Sequence, residues 1–207
     1  MTEQQRLAHN KLFKKASAIV NDEIQFHDRP PLPQPGWWLR YRLKRALSLF
    51  ERVLGLAPEN WSAMWLAGMV HKRLGDKVAA LALFERAYQV NPSQPDVARE
   101  ASLCAMDIGR GDAAVVYAHR ATQIEPECGG LHANLALACI LAGRIDEAQR
   151  SIERSLAADA SDTISQTIRG IVQHFAANGR TPPKTTAELQ DYWRRNGAAQ
   201  PGCSASP

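Results

Sequence analysis

Three glycines, Gly75, Gly109 and Gly143, stand 34 residues apart, each breaking an otherwise apolar, helix-forming run. The same shift superimposes alanines at Ala46, Ala80, Ala114 and Ala148, and prolines at Pro58, Pro92 and Pro126. A fixed period in this range is the signature of a stacked repeat. Each ladder has a physical role. Glycine supplies the left-handed residue that ends a first helix and lets the chain reverse. A small alanine lets two antiparallel helices approach closely, and Phe50 and Val53, or Phe84 and Ala87, four and seven residues further on, continue that buried face. Proline after the second helix removes a backbone donor and disfavours helical geometry just before it.

A 34-residue helix-turn-helix unit with these ladders resembles the tetratricopeptide repeat. Residues 61–94 match best, with Met64, Ala67-Gly68, Leu74-Gly75, Ala80, Phe84, Ala87 and Pro92 at the large, small and helix-ending positions. Residues 95–128 and 129–162 match less well: Ala118 replaces an aromatic residue and Ala160 the closing proline. His71, Ala105 and Cys139 stand where the family usually has a ring. The resemblance implies an all-α fold, a right-handed superhelical solenoid of antiparallel helix pairs with extra helices at both ends, roughly ten helices in all.

The layout read from the sequence is an N-terminal amphipathic helix (1–28), a proline-rich loop (29–36), a repeat array (37–162) with a degenerate first unit, capping helices (163–196) and a disordered tail (197–207). The first unit keeps its second helix in RALSLFERVLGLAPEN, but RPPLPQPG occupies the place of its first, and that stretch cannot be helical. Leu12, Phe13, Ala16, Ile19 and Val20 recur at helical spacing and supply the missing partner. PPLPQP also fits the pattern bound by SH3-like domains; a stiff connector is the simpler reading. Downstream, Ser161 or Asp162 caps a helix to about Ala177, and Thr185 with Glu188 forms a capping box for TAELQDYWRRN.

Composition narrows the function classes. At 45% apolar and 22% charged residues the chain is balanced like a soluble globular protein. It has no signal-like apolar N-terminus and no run of ~18 apolar residues to span a membrane, which points to the cytoplasm. Cys104, Cys128, Cys139 and Cys203 match no zinc or redox spacing and read as free thiols. Residues 1–56 hold 10 Lys and Arg against 5 Asp and Glu, so the net charge of +4 resides there. Trp37 and Trp38 followed by Arg40, Arg42, Lys44 and Arg45 read either as a phosphate or membrane-surface patch or, more simply, as a solvated helix face.

No phosphate-binding loop, nucleophile elbow or HExxH pair occurs. Cys128 and His132 have half a metal-site spacing without a second pair, and Asp146 and Glu147 are explained by a helix N-terminus. The expectation is therefore a non-enzyme that needs no cofactor or metal and has another protein as its partner, with no nucleic acid expected and with end helices, carrying Tyr192 and Trp193, offering a route to a homodimer. The resemblance implies a protein-binding adaptor. Its alternatives are a small chaperone for a secreted partner, similar to those of type III secretion, and the recognition subunit of a separate enzyme. In the family, first helices line a concave groove. Counted along the register, that groove comprises Trp65, Met69, Lys72, Arg73, Arg99, Leu103, Met106, Ala133, Asn134, Leu137, Ile140 and Leu141. Lys72, Arg73, Arg99 and Asn134 resemble the family's carboxylate-clamp residues without reproducing their pattern, so an apolar or extended segment is expected rather than an acidic tail. The plain alternative is that Met69, Leu103 and Leu137 pack against neighbouring helices.

Overall fold

The computed structural model describes residues 1–21 and 33–196. The parts of the expected N-terminal helix at 22–28, of the proline-rich loop at 29–32, and the tail at 197–207 lie outside the described residues. The fold is all-α. Among the described residues are ten helices and no strand: α1 (Glu3–Val20), α2 (Trp37–Leu56), α3 (Trp61–Leu74), α4 (Lys77–Val90), α5 (Pro95–Asp107), α6 (Gly111–Ile124), α7 (Gly129–Leu141), α8 (Ile145–Ala158), α9 (Thr163–Asn178) and α10 (Thr186–Asn196). Helices α2, α4 and α6 each stop two residues before a ladder proline. Contacts gather the chain into two compact units, Met1–Cys104 and Ala105–Pro207, divided within α5.

In the first unit, the α3–α4 hairpin follows the ladders closely. The Asn60 side chain caps α3 by accepting from the Ala63 amide at 2.9 Å. Gly75 ends the helix at φ 90°, and Asp76 at once caps α4 by accepting from the Ala79 amide at 3.1 Å. Ala80 is completely buried where the helices cross. A Cβ added at Gly68 would lie 2.6 Å from Phe84 Cε1, so the ring packs on bare backbone. Met64, Ala87 and Val97 join the two helices to α5, covered by Trp61, Trp65 and Tyr88.

Helix α1 packs on α2, burying Ala16 and Val20 and setting Phe13 edge-on to Phe50 with ring centres 6.2 Å apart. His9 bonds the Asn60 carboxamide at 2.9 Å. It therefore covers the apolar stripe of α2, where Leu43, Ala46, Phe50 and Val53 are fully buried.

In the second unit, Gly109 and Gly143 turn the chain at φ 76° and 74°, while Ala114 and Ala148 are fully buried. Helix α7 is packed by α6, α8 and α9. Where Ala160 replaces proline after α8, the Asp159 carboxylate closes the turn by accepting from the Ser161 amide at 2.8 Å and its hydroxyl at 2.7 Å. Those bonds hold the Asp159 carboxyl below its ordinary range. Ser161 is thereby engaged, and Asp162 caps α9. Thr185 accepts from the Glu188 amide at 3.2 Å, but the Glu188 carboxylate reaches the amide of Lys184 rather than Thr185, so the expected capping box is made in one direction only. Tyr192 stacks on Phe175 at 5.3 Å and bonds His174 at 2.8 Å, joining α10 to α9.

Candidate functional site

The residues expected to face a partner come from first helices, whose side chains divide between core and surface by the 3.6-residue period. On α3, Trp65 is half-buried against the Met64–Ala87–Val97 cluster and Met69 is 5% exposed. Lys72 and Arg99 converge on Glu100, which is only 2% exposed: the Lys72 ammonium donates to Oε2 at 2.6 Å and the Arg99 guanidinium to Oε1 at 2.9 Å. A buried carboxylate with both oxygens bonded to cations is a satisfied group, and breaking it would strand a charge. Asp96 lies 3.5 Å from Arg99, yet partial burial, and then repulsion from Glu100, raise its pKa above the ordinary value. Arg73 donates to the Pro33 carbonyl at 2.7 Å, tying the extended residues before α2 to the end of α3. Leu103 keeps a half-exposed side chain.

In the second unit, Met106 and Ile140 have no exposed surface, and Leu141 and Ala133 are 5% and 4% exposed. Counting along the register therefore reached too far around the helices. Met69, Arg99, Met106, Ala133, Ile140 and Leu141 are buried, because helices packed by neighbours on more than one side keep only a narrow outward strip. On α7 that strip carries Asn134 and Leu137, both half-exposed and three residues apart. Among the described residues the Asn134 carboxamide has no hydrogen-bond partner. Glu100 was missed from sequence, although an acid beside Arg99 inside the apolar run VAREASLCAM was a readable signal.

The half metal spacing finds structural uses instead. His132 is buried and its Nε2 bonds the Pro126 carbonyl at 2.7 Å, while Cys128 is exposed at the start of α7. His119 bonds Glu147, which also lies 3.7 Å from Arg144. Burial, with Glu147 nearby, pushes the Cys139 thiol up to about 12, so it stays protonated and unreactive.

Consecutive helix pairs at a 34-residue period, with left-handed glycine turns and fully buried crossing alanines, define a helical-repeat protein. The chain belongs to the tetratricopeptide repeat family: models described as tetratricopeptide repeat match residues 42–98 and 105–169, more than half of its length. Among solved structures it is similar to MamA from Desulfovibrio magneticus RS-1 (11% identity, 95% of this chain and 98% of that one, TM-score 0.67). It is also similar to YrrB, titled a TPR protein with an unusual peptide-binding site (18%, 77% and 80%, TM-score 0.62), and to a tetratricopeptide repeat protein from Parabacteroides merdae (12%, 94% and 68%, TM-score 0.67). No curated protein matches the chain.

Proposed function

We propose that this chain is a non-catalytic interaction module that holds an apolar or extended segment of a partner protein on its first-helix faces. The observation that carries the reading is the α7 strip, where an unbonded carboxamide at Asn134 stands one turn from the half-exposed Leu137. A side-chain amide can bond an extended backbone while the leucine takes an apolar side chain. In the first unit, Leu103 offers a similar apolar contact. The cations that would grip a carboxylate are engaged there, Lys72 and Arg99 by Glu100 and Arg73 by Pro33. An acidic tail would have to displace those bonds; an apolar segment would not. Similarity to a protein titled for its peptide-binding site supports the same class of ligand. The working compartment under this reading is the cytoplasm, and among the described residues no helix is long and apolar enough to cross a membrane.

A displayed random-peptide library selected on the full chain tests the proposal. Enriched peptides should be apolar rather than acidic, and those held on α7 should bind the Asn134→Ala/Leu137→Gln variant, and those held on α5 the Leu103→Asp variant, about tenfold or more weakly at unchanged helix content. No enrichment, or equal binding to the variants, would overturn it. Trp65→Ala serves less well, because Trp65 also covers the core.

A further inference from the structure

The outward face of α2 departs from what a solvated helix requires. Leu43, Ala46, Phe50 and Val53, spaced three, four and three residues apart, are buried; Trp37, Tyr41, Lys44 and Ser48 lie on the opposite side and are exposed. Trp37 is 80% exposed, and Trp38 and Tyr41 are each 58% exposed. Single exposed apolar residues are ordinary, but three rings within five residues form a patch that calls for a contact. Beside them are four exposed cations, Arg40, Lys44, Arg45 and Arg52, against one acid, Glu51. None of the four is paired with a carboxylate among the described residues, in contrast to Lys72 and Arg99. Exposed Lys11, Lys14 and Lys15 on α1 add to the positive field of the same hairpin.

We infer that the outward face of α2 is a docking surface for an anionic lipid membrane, with Trp37, Trp38 and Tyr41 entering the headgroup layer and Arg40, Lys44 and Arg45 pairing with lipid phosphates. Three features select this occupant. The face is the convex side of a helix and offers no groove for a peptide, whereas a lipid surface deforms around it. Tryptophan and tyrosine carry an apolar body with a polar tip, the combination that favours the interface, and the arginine and lysine stems reach from apolar depth to phosphate. The rings also touch one another, Trp38 and Tyr41 stacked with centres 5.8 Å apart and Trp37 edge-on to Trp38 at 5.7 Å, so they form one continuous aromatic cluster able to insert among lipids.

The test is sedimentation of the full chain with vesicles of phosphatidylcholine alone or with about one-third phosphatidylserine, near 0.15 M salt. The chain should pellet with the anionic vesicles only. The triple variants Trp37→Ser/Trp38→Ser/Tyr41→Ser and Arg40→Gln/Lys44→Gln/Arg45→Gln should each lose roughly tenfold or more of that partitioning. Because all six side chains are exposed, helix content and melting should match the parent, which separates lost docking from lost folding. Failure to pellet with anionic vesicles would overturn the inference, as would parent-level pelleting by the aromatic variant. Two other results would assign the patch elsewhere: a single-stranded oligonucleotide that binds and strips the chain from vesicles, or a dimer that dissolves in the aromatic variant without any vesicle binding.

Discussion

The hairpins α3–α4 and α1–α2 belong to one compact unit, yet they solve the same packing problem differently. In α3–α4, two residues turn the chain, a left-handed glycine ends one helix, the next residue caps the other, and a phenyl ring rests on bare glycine backbone. In α1–α2, no ladder residue exists on the first helix, only Ala16 and Val20 are buried there, and Phe13 and His9 make half-buried contacts. The family's ladders thus specify close helix approach; where they are missing, a generic amphipathic helix covers the same stripe with looser, partly exposed packing.

The comparison breaks most sharply at the rings. Phe84→Ala should cost about 3–5 kcal/mol and Phe13→Ala about half as much, because Phe84 is fully enclosed and Phe13 is not. Denaturant titration of the two variants, followed by circular dichroism, measures both; equal losses would mean that α1 is packed as tightly as a repeat helix. Next come the crossing alanines: Ala80→Leu should overpack its hairpin by roughly 1–3 kcal/mol. An unchanged melting temperature would refute close approach at that position. Gly143 has open space around an added Cβ but φ 74°, so Val should cost about 1–2 kcal/mol and Asn clearly less. Identical melting curves for those two variants would show that the turn can shift to another residue.

The helix caps offer a test that titrates. Asp162 accepts from the Ile164 and Ser165 amides and from the Ser165 hydroxyl, the last of which contributes most to holding its carboxyl below the ordinary value of 3.8. A depressed folded-state pKa means that its stabilisation is present above 3.8 and is lost as pH falls through the lower folded value. Asp162→Ala should therefore cost about 1 kcal/mol at neutral pH and progressively less in acid below that point. A difference between parent and variant that stays constant with pH would exclude the carboxylate as the cap. The smallest effect is a gain. Asp76, Arg110 and Arg144 are equivalent across the 34-residue period with similar backbone angles, yet only Asp76 caps with its side chain. Arg110→Asp should raise stability by about 0.5–1 kcal/mol. No gain in melting temperature would indicate that Arg110 already makes an equivalent contribution.

The repeat units were legible in the sequence because their determinants are local: a glycine, an alanine and a proline at fixed spacing each act through a few neighbouring residues. The start of α10 was half legible, since the Thr185 bond follows from spacing, whereas the Glu188 reach to Lys184 depends on backbone detail. The binding faces were least legible. Periodicity locates the direction of a helix face but not how far neighbours wrap around it, so Met106 and Ile140 were read as surface although they are enclosed. The pairing of Lys72 with Glu100, 28 residues away, depends on how α3 and α5 pack and leaves no mark in either segment alone.

The unequal connectors also bear on the order in which the hairpins assemble. Two residues separate α3 from α4, whereas sixteen separate α1 from α2. Closing the longer loop costs about 2 kcal/mol more chain entropy, and α1 fully buries only Ala16 and Val20 with which to offset it. Docking of α1 should therefore follow collapse of the repeat hairpins during folding and be the first interaction lost on unfolding. A chain emerging from the ribosome would then carry the apolar stripe of α2, Leu43, Ala46, Phe50 and Val53, in a less covered state until the α3–α4 hairpin had been synthesised.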